Sequence, residues 1–443
     1  MHEIVASMQV KIQIPDNIKI TVGNIATTIH SLGIEKKLAE EIIHTIDQKK
    51  LEEYCGPENA RGNGEKRYTR AGTKKKHPVT NVGRLNLKLH LVEDHLRDKN
   101  KTFRPVEDII SFDDRKVYQE DISLTSAELA TKMTYRDAAT EGRLFTETPS
   151  PSTINRRVIQ YGKQIQELNG EETRGARIKT VFPDAAKCHS QEKNQPKNLI
   201  NVTLGLDEKG NKALLDIQVN KNWEETAKAL DKADALDKKA VVIGDGDQEM
   251  INALVTGEKE NPMDFLHLFR TTGYKLWQDA ELSLDDRKTV VRELEKILYT
   301  LKNSVDKHLK DKDVEALKKR INLTVDALKA LAERMMKLGC FKVAEFVRQC
   351  SITAVTFARL AVKGVKVPWN SNLVERLMGE ISKRCKHKWM RWTTRGLEAV
   401  LNIILVRYTS EKRYQKFKQK ITKAENLRFI KGEAKIIVAG GEL

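Results

Sequence analysis

Paired thiols are missing from this chain. Its five cysteines (Cys55, Cys188, Cys340, Cys350 and Cys385) form no Cys-x-x-Cys spacing, which argues against a disulfide scaffold. Long apolar runs are missing too: nothing approaches the roughly 20 residues needed to span a bilayer. Residues Met1 to Asp16 mix charges with strand-like alternation and lack the apolar core of a signal peptide, so a reducing cytoplasmic location is expected. Positive charge, in contrast, is in excess. Lysine and arginine total 79 against 62 aspartates and glutamates, a formal net charge of +17, while 40% of the 443 residues are apolar. That balance describes a globular protein with an anionic partner, nucleic acid before membrane. At roughly 100–200 residues per domain the length allows two to four domains.

Composition divides the chain. Residues 1–121 hold short apolar segments broken by polar stretches and read as a basic N-terminal region. Within it, Arg61 to Lys76 is rich in glycine and basic residues, as expected of either a mobile arm lying along phosphates or a solvated loop. Arg67, Arg70, Lys74, Lys75 and Lys76 cluster around Tyr68, which tips the reading toward nucleic acid. His90 and His95 have zinc-finger histidine spacing, but Cys55 is the only nearby thiol, short of a four-ligand site.

Residues 122–170 change to helical periodicity. Ser126 to Met133 and Thr134 to Ala139 precede Ser150-Pro-Ser-Thr-Ile-Asn-Arg-Arg157, where Ser150 or Ser152 can cap a helix that tolerates Pro151 in its first turn. That helix offers Thr153, Asn155, Arg156 and Arg157 to base edges and phosphates, with Ile154, Val158 and Ile159 turned inward. A helix-turn-helix is expected; an ordinary helical hairpin with a solvated basic face is the alternative.

Residues 171–277 alternate between strand and helix. Ile178 to Phe182, Leu199 to Gly205 and Ala213 to Val219 read as an antiparallel meander, the last two joined by the turn Asp207 to Asn211. A helix from Trp223 to Leu236, the apolar strand Ala240 to Ile243, a helix to Leu254 and a fifth strand at Phe265 to Phe269 complete an order that predicts a ribonuclease H-like α/β core. Residues 278–362 are predicted to be an all-helical insertion. Leu294, Ile297, Leu298 and Leu301, then Leu317, Ile321, Val325 and Leu328, form its apolar stripes. The core resumes over 363–410 with a helix from Asn372 to Lys386, and residues 411–443 form a basic tail. From Lys383 to Lys420 there are 12 lysines and arginines against two glutamates.

Two-metal phosphoryl transfer requires carboxylates from separate elements to converge on two divalent ions about 3.5–4 Å apart. Asp184 after the first core strand, Asp245 at the end of the fourth and Glu375 on the late helix occur in the order such a sheet needs. Asp247 competes with Asp245; Asp245 is preferred because it directly follows the apolar strand, whereas Asp247 suits a helix cap. Trp369, Trp389 and Trp392 flank the glutamate helix and suit either packing or stacking on an unpaired base. Cys188, His189 and Cys385 lack the paired spacing of a metal site.

Three motifs carry a resemblance. Phe182-Pro-Asp-Ala-Ala-Lys-Cys-His-Ser190, Val242-Ile-Gly-Asp-Gly-Asp247 and Trp369-Asn-Ser-Asn-Leu-Val-Glu-Arg376, followed by Lys383-Arg384, resemble the three acidic motifs of DDE transposases of prokaryotic insertion sequences, especially the Mutator-type group. The likeness spans about residues 124–410. Intervals of 61 residues between the first two acids and 130 between the last two are similar to members with a helical insertion. Two departures stand out. Asp264-Phe-Leu-His267 keeps the histidine of a Cys-x-x-His motif but not its cysteine, and Ala185 stands where a glycine commonly follows the first acid.

The resemblance implies a DNA transposase that binds terminal inverted repeats of its element and joins a freed 3′-hydroxyl to target DNA. Two Mg2+ or Mn2+ ions would sit on Asp184, Asp245 and Glu375. Double-stranded DNA is the expected partner, with contacts from Arg67, Arg70, Lys74, Lys75, Thr153, Asn155, Arg156, Arg157, His267, Lys383 and Arg384; His267 equally suits a core position. A homodimer or higher assembly on DNA in the nucleoid is expected, with no membrane. The rival readings are a ribonuclease H-like nuclease without strand transfer and a DNA-binding regulator with an inactive core.

Overall fold

The structure, a computed structural model, describes residues 21, 30–57, 67–96, 101–112, 117–207, 209–386 and 390–422. Residues 1–16, the first part of the basic arm (61–66), Trp389 and the tail beyond 422 lie outside the described residues. Two compact units make up the chain: residues 1–158 with 418–443, and residues 159–417. Among the described residues no helix is long and apolar enough to cross a membrane.

In the first unit, helix α1 (Ile34–Cys55) sets Ala39, Ile42, Ile43 and Ile46 at helical spacing against Leu85, Leu87, Leu89, Val106 and Phe112. The strands beside it are β1 (Tyr68–Lys76), β2 (Val79–Thr80), β3 (Gly83–Arg84), β4 (Leu87–Asp94) and β5 (Lys101–Phe103). They form a three-stranded sheet in the order β1-β4-β5 and a β2-β3 hairpin, whose turn uses Gly83 at φ 107°. The described part of the basic arm is therefore an edge strand, neither arm nor loop. Tyr68 to Lys76 pair antiparallel with Asp94 to Leu87, a partner with no local signature in the arm itself.

Helices α2 (Glu120–Ala130) and α3 (Tyr135–Gly142) follow. The Thr134 hydroxyl caps α3 by accepting the Asp137 N–H at 3.1 Å. Helix α4 (Pro151–Thr173) begins where the Ser150 hydroxyl accepts the Thr153 N–H at 3.4 Å. The unit boundary falls within α4.

The second unit is built on β6 (Ile178–His189), β7 (Lys197–Leu206), β8 (Lys212–Val219) and β9 (Leu236–Val242), ordered β8-β7-β6-β9. The first three form an antiparallel meander and β9 runs parallel to β6. Asp207 closes the β7–β8 turn by accepting the N–H groups of Lys209 and Asn211. Helix α5 (Trp223–Lys232), capped by Asn222, and helix α6 (Gln248–Leu254) join Val242 in one apolar cluster. Beyond β9, Glu260 and Met263 make parallel bridges to Val241 and Gly244.

The expected fifth strand at Phe265 to Phe269 is instead the start of helix α7 (Phe265–Asp279). Five apolar-rich residues cannot separate a strand from a helix. Over the longer window, Phe265, Leu268, Phe269, Thr272 and Leu276 are buried at helical spacing.

No strand interrupts α8 (Leu284–Asp311), α9 (Val314–Lys337), α10 (Phe341–Thr353) and α11 (Thr356–Val362). Leu294, Leu298, Leu301, Leu317, Ile321 and Leu328 lie in one core, with Ile297 and Val325 packed against it. That core also takes in Met263 and the apolar face of α7, so the helical layer begins earlier than residue 278. Helices α12 (Asn372–Cys385), α13 (Thr394–Thr409) and α14 (Glu411–Thr422) are the last among the described residues. A close approach between α4 and α13 depends on Gly162, where a Cβ would lie 2.4 Å from the Ala399 carbonyl oxygen.

Candidate active site

The sheet register brings the first two acids together. Val181 of β6 pairs with Val242 of β9, and the Ile243 N–H bonds the Val181 carbonyl at 2.8 Å. Asp184 and Asp245 each stand three residues further along these parallel neighbours. Pro183 is tolerated inside β6 because pairing with β9 has ended at Val181. On its other side β6 continues to His189 against β7, so Asp184 lies within the strand and not after it.

The Asp184 carboxylate accepts the Ala185 N–H at 2.7 Å. Burial pushes its pKa up to about 6. The nearby carboxylates of Asp245 and Glu375 add to the rise, while the Ala185 N–H and His267 oppose it.

Asp245 and Asp247 divide their roles around Gly246, which sits at φ 90°. Asp247 caps α6 by accepting the Glu249 N–H at 2.9 Å, and Asp245 accepts the Asp247 N–H at 3.0 Å.

Glu375, in the first turn of α12, turns one carboxylate oxygen toward two side chains of α7. His267 Nε2 is 3.5 Å away and Arg270 is 3.7 Å away. Asp264 fixes this pairing. It is fully buried, and its Oδ1 accepts the N–H groups of Leu266 at 2.6 Å and His267 at 3.2 Å. Its Oδ2 accepts the Ser371 N–H at 2.5 Å. One carboxylate thus caps α7 and anchors the residue that begins α12, holding both helix starts in one geometry. Sequence reasoning passed over Asp264 and Arg270. An acid immediately before an apolar run is a helix-start signal for the first, and a position three after His267 on a helix marks the second.

No family model matches the chain, and no curated protein is significantly similar to it.

The other predicted contact residues divide into presented and engaged groups. Arg70, Lys74 and Lys75 are exposed along β1. Arg67 makes two bonds to buried Asp94, each at 3.2 Å, and covers the Tyr68 ring at 4.7 Å. On α4, Arg156 is exposed and donates to Thr153 Oγ1 at 3.2 Å, and Asn155 is half-buried. Arg157 is 7% exposed and donates to Glu120 of α2 at 3.2 Å, so its guanidinium locks two helices together and is not presented to a groove. Lys383 is exposed beside Glu380. Arg384 is buried and lies 4.6 Å from the Trp392 ring centroid.

Trp369 packs on Phe265 and Tyr299, and Trp392 is 4% exposed; both are packing residues. The His90 and His95 rings bond Asp47 and Thr69. The buried thiols of Cys188 and Cys385 hydrogen-bond each other, and this contact with burial drives Cys385 upward. Among the described residues, no group of three His, Cys, Asp or Glu side chains is gathered as a metal cage.

Proposed function

We propose that this chain is a DNA transposase whose ribonuclease H-like core cuts and joins DNA at Asp184, Asp245 and Glu375. The observation that carries the reading is the placement of Asp184 and Asp245 at matched positions on adjacent parallel strands, with Glu375 at the start of α12 held against His267 and Arg270 of α7. The strand order β8-β7-β6-β9, with Glu260 and Met263 bridging along the outer edge, supports a ribonuclease H-like core. Helices α2, α3 and α4, with Arg156 exposed near the start of the last, support a helix-turn-helix reading of repeat DNA. Exposed Arg70, Lys74 and Lys75 on β1 suit phosphate contacts, which fix register without reading sequence.

The donor set fits divalent cations. Hard carboxylate oxygens suit Mg2+ or Mn2+, and a cation would offset both the burial that chiefly raises Asp184 and the smaller push from Asp245 and Glu375. Asp184 and Asp245 would hold the ions, with Glu375 completing the set. When bound, such ions supply Lewis-acid charge to the attacking and leaving oxygens.

The chain's own residues do the positioning. Asp264 sets α7 against α12, His267 and Arg270 hold Glu375, and Arg270, with 69% of its side chain exposed, can reach a substrate phosphate. In the first reaction water attacks phosphorus, the bond to the 3′-oxygen breaks, and that oxygen takes up the proton. In the second the freed 3′-hydroxyl attacks a target phosphate, displaces the target strand's 3′-oxygen and passes its proton to it. Because two element ends must be cut together, a dimer or higher assembly on DNA is expected.

The test is to incubate the chain with magnesium, a labelled duplex carrying the inverted repeats that flank its gene, and a target plasmid. Transposition predicts nicks leaving 3′-hydroxyls and covalent joining to the plasmid. Cleavage without joining identifies a nuclease, and binding without cleavage identifies a regulator.

A further inference from the structure

Helix α7 carries a second feature on the face that holds His267 and Arg270. Tyr274 and Trp277 follow seven and ten residues after His267. At about 100° per residue the four side chains fall within an arc of roughly 80°. Tyr274 is 57% exposed and Trp277 is 62% exposed. Their rings are stacked, with centroids 5.7 Å apart and planes 25° from parallel. The other described tryptophans have structural employment: Trp223 and Trp392 are buried, and Trp369 packs on Phe265 and Tyr299. Trp277 and Tyr274 have no place in the helical core.

The surroundings are cationic. Exposed Arg270 lies one turn before Tyr274. Lys275 extends over the Phe346 ring at 5.5 Å, and the Lys342 ammonium lies 3.5 Å from the Gln278 carbonyl. The nearest acid on the helix, Asp279, is occupied in capping α10 through the Lys342 and Val343 N–H groups. Flat apolar faces beside positive charge match a ligand that joins aromatic rings to phosphates. The same positive charge disfavours a second copy of this patch as occupant.

We infer that Tyr274 and Trp277 form a stacking platform for unpaired bases of the DNA strand whose backbone runs to the Asp184–Asp245–Glu375 cluster, an inference that rests on the proposed function. Bases within a duplex already cover one another, so an exposed ring pair selects bases released from pairing. Along the helix axis the platform lies about 10–15 Å from His267. That is about three to four nucleotides at 3.4 Å per stacked step. The platform would hold a strand opened a few nucleotides from the phosphate that is cut.

The experiment measures affinity of the full chain for two labelled repeat-end duplexes by fluorescence anisotropy. One is fully paired; the other has its last four nucleotides unpaired on one strand. The wild-type chain is expected to prefer the unpaired end. Replacing both Tyr274 and Trp277 by alanine should weaken that complex about tenfold or more while leaving the paired duplex unchanged. Trp277→Phe, which keeps a ring, should retain most of the preference. An equal loss on both duplexes, no loss on either, or a loss of self-association with the preference intact would overturn the inference. Failure to bind either duplex would overturn the proposed function as well. Normal binding of the paired repeat with no role for the two rings would overturn the platform alone.

Discussion

Replacing Asp184 by asparagine should stabilise the second unit at neutral pH, and only there, when no divalent ion is present. The folded chain keeps the Asp184 proton up to about pH 6, while an unperturbed aspartate releases it near 3.8. Between these values the folded state binds more protons than the unfolded state, so wild-type stability declines as pH rises from about 4 through about 6. Above that the whole penalty for holding the carboxylate charged remains. A shift of about two pH units corresponds to roughly 3 kcal/mol at 1.36 kcal/mol per unit. Partial exposure of the side chain reduces the expected effect to about 1–3 kcal/mol. Asparagine keeps the size of the group and cannot ionise, so the variant should match wild type at pH 4 and exceed it by that amount at pH 7.5. All five tryptophans lie within residues 159–417, so urea unfolding followed by tryptophan fluorescence in EDTA reports on this unit. A variant no more stable than wild type at pH 7.5, or one equally stabilised at both pH values, would refute the argument. Added magnesium should then stabilise wild type and have much less effect on the variant.

Arg157→Ala should lower thermal stability by about 2–4 kcal/mol because it strips Glu120 of a largely buried partner. Arg156→Ala should leave melting unchanged, weaken binding to repeat duplex and reduce the salt slope by about one. Gly162→Ala should destabilise by about 1–3 kcal/mol in urea, because its Cβ meets the Ala399 backbone and not a movable side chain. Asp264→Ala removes the acceptor of three N–H groups and should cost about 2–4 kcal/mol with loss of cleavage. Asp264→Asn, which keeps an acceptor oxygen, should do less damage in both assays.

What the sequence made legible was local. Alternation and the Asp207 turn marked the meander, the spacing of Leu294, Leu298 and Leu301 marked a helix, and the preference of aspartate for caps separated Asp247 from Asp245. What it concealed depended on partners distant in sequence. The edge strand Tyr68 to Lys76 exists because β4 supplies its ladder, and no periodicity within a lysine-rich stretch announces that. Phe265 to Phe269 reads equally as strand or helix until the Asp264 carboxylate caps it by accepting the Leu266 N–H. Arg157 looks like a groove contact until Glu120 is placed beside it. The candidate site mixes both kinds of information. The chain order of Asp184, Asp245 and Glu375 can be read directly, whereas the parallel register at Val181 and Val242 and the hold of His267 and Arg270 on Glu375 are properties of the folded chain.

The most direct measurement compares wild type with Glu375→Gln in single-turnover cleavage of a labelled repeat end with magnesium, beside a gel shift on the same preparations. The amide keeps the size of the side chain and much of its hydrogen bonding but no charge to help hold a divalent ion. Cleavage should therefore fall by three orders of magnitude or more, roughly 4 kcal/mol of transition-state stabilisation, while repeat binding stays within about twofold. Robust cleavage by the Glu375 variant would contradict the assignment of Asp184, Asp245 and Glu375 as the site of phosphoryl transfer.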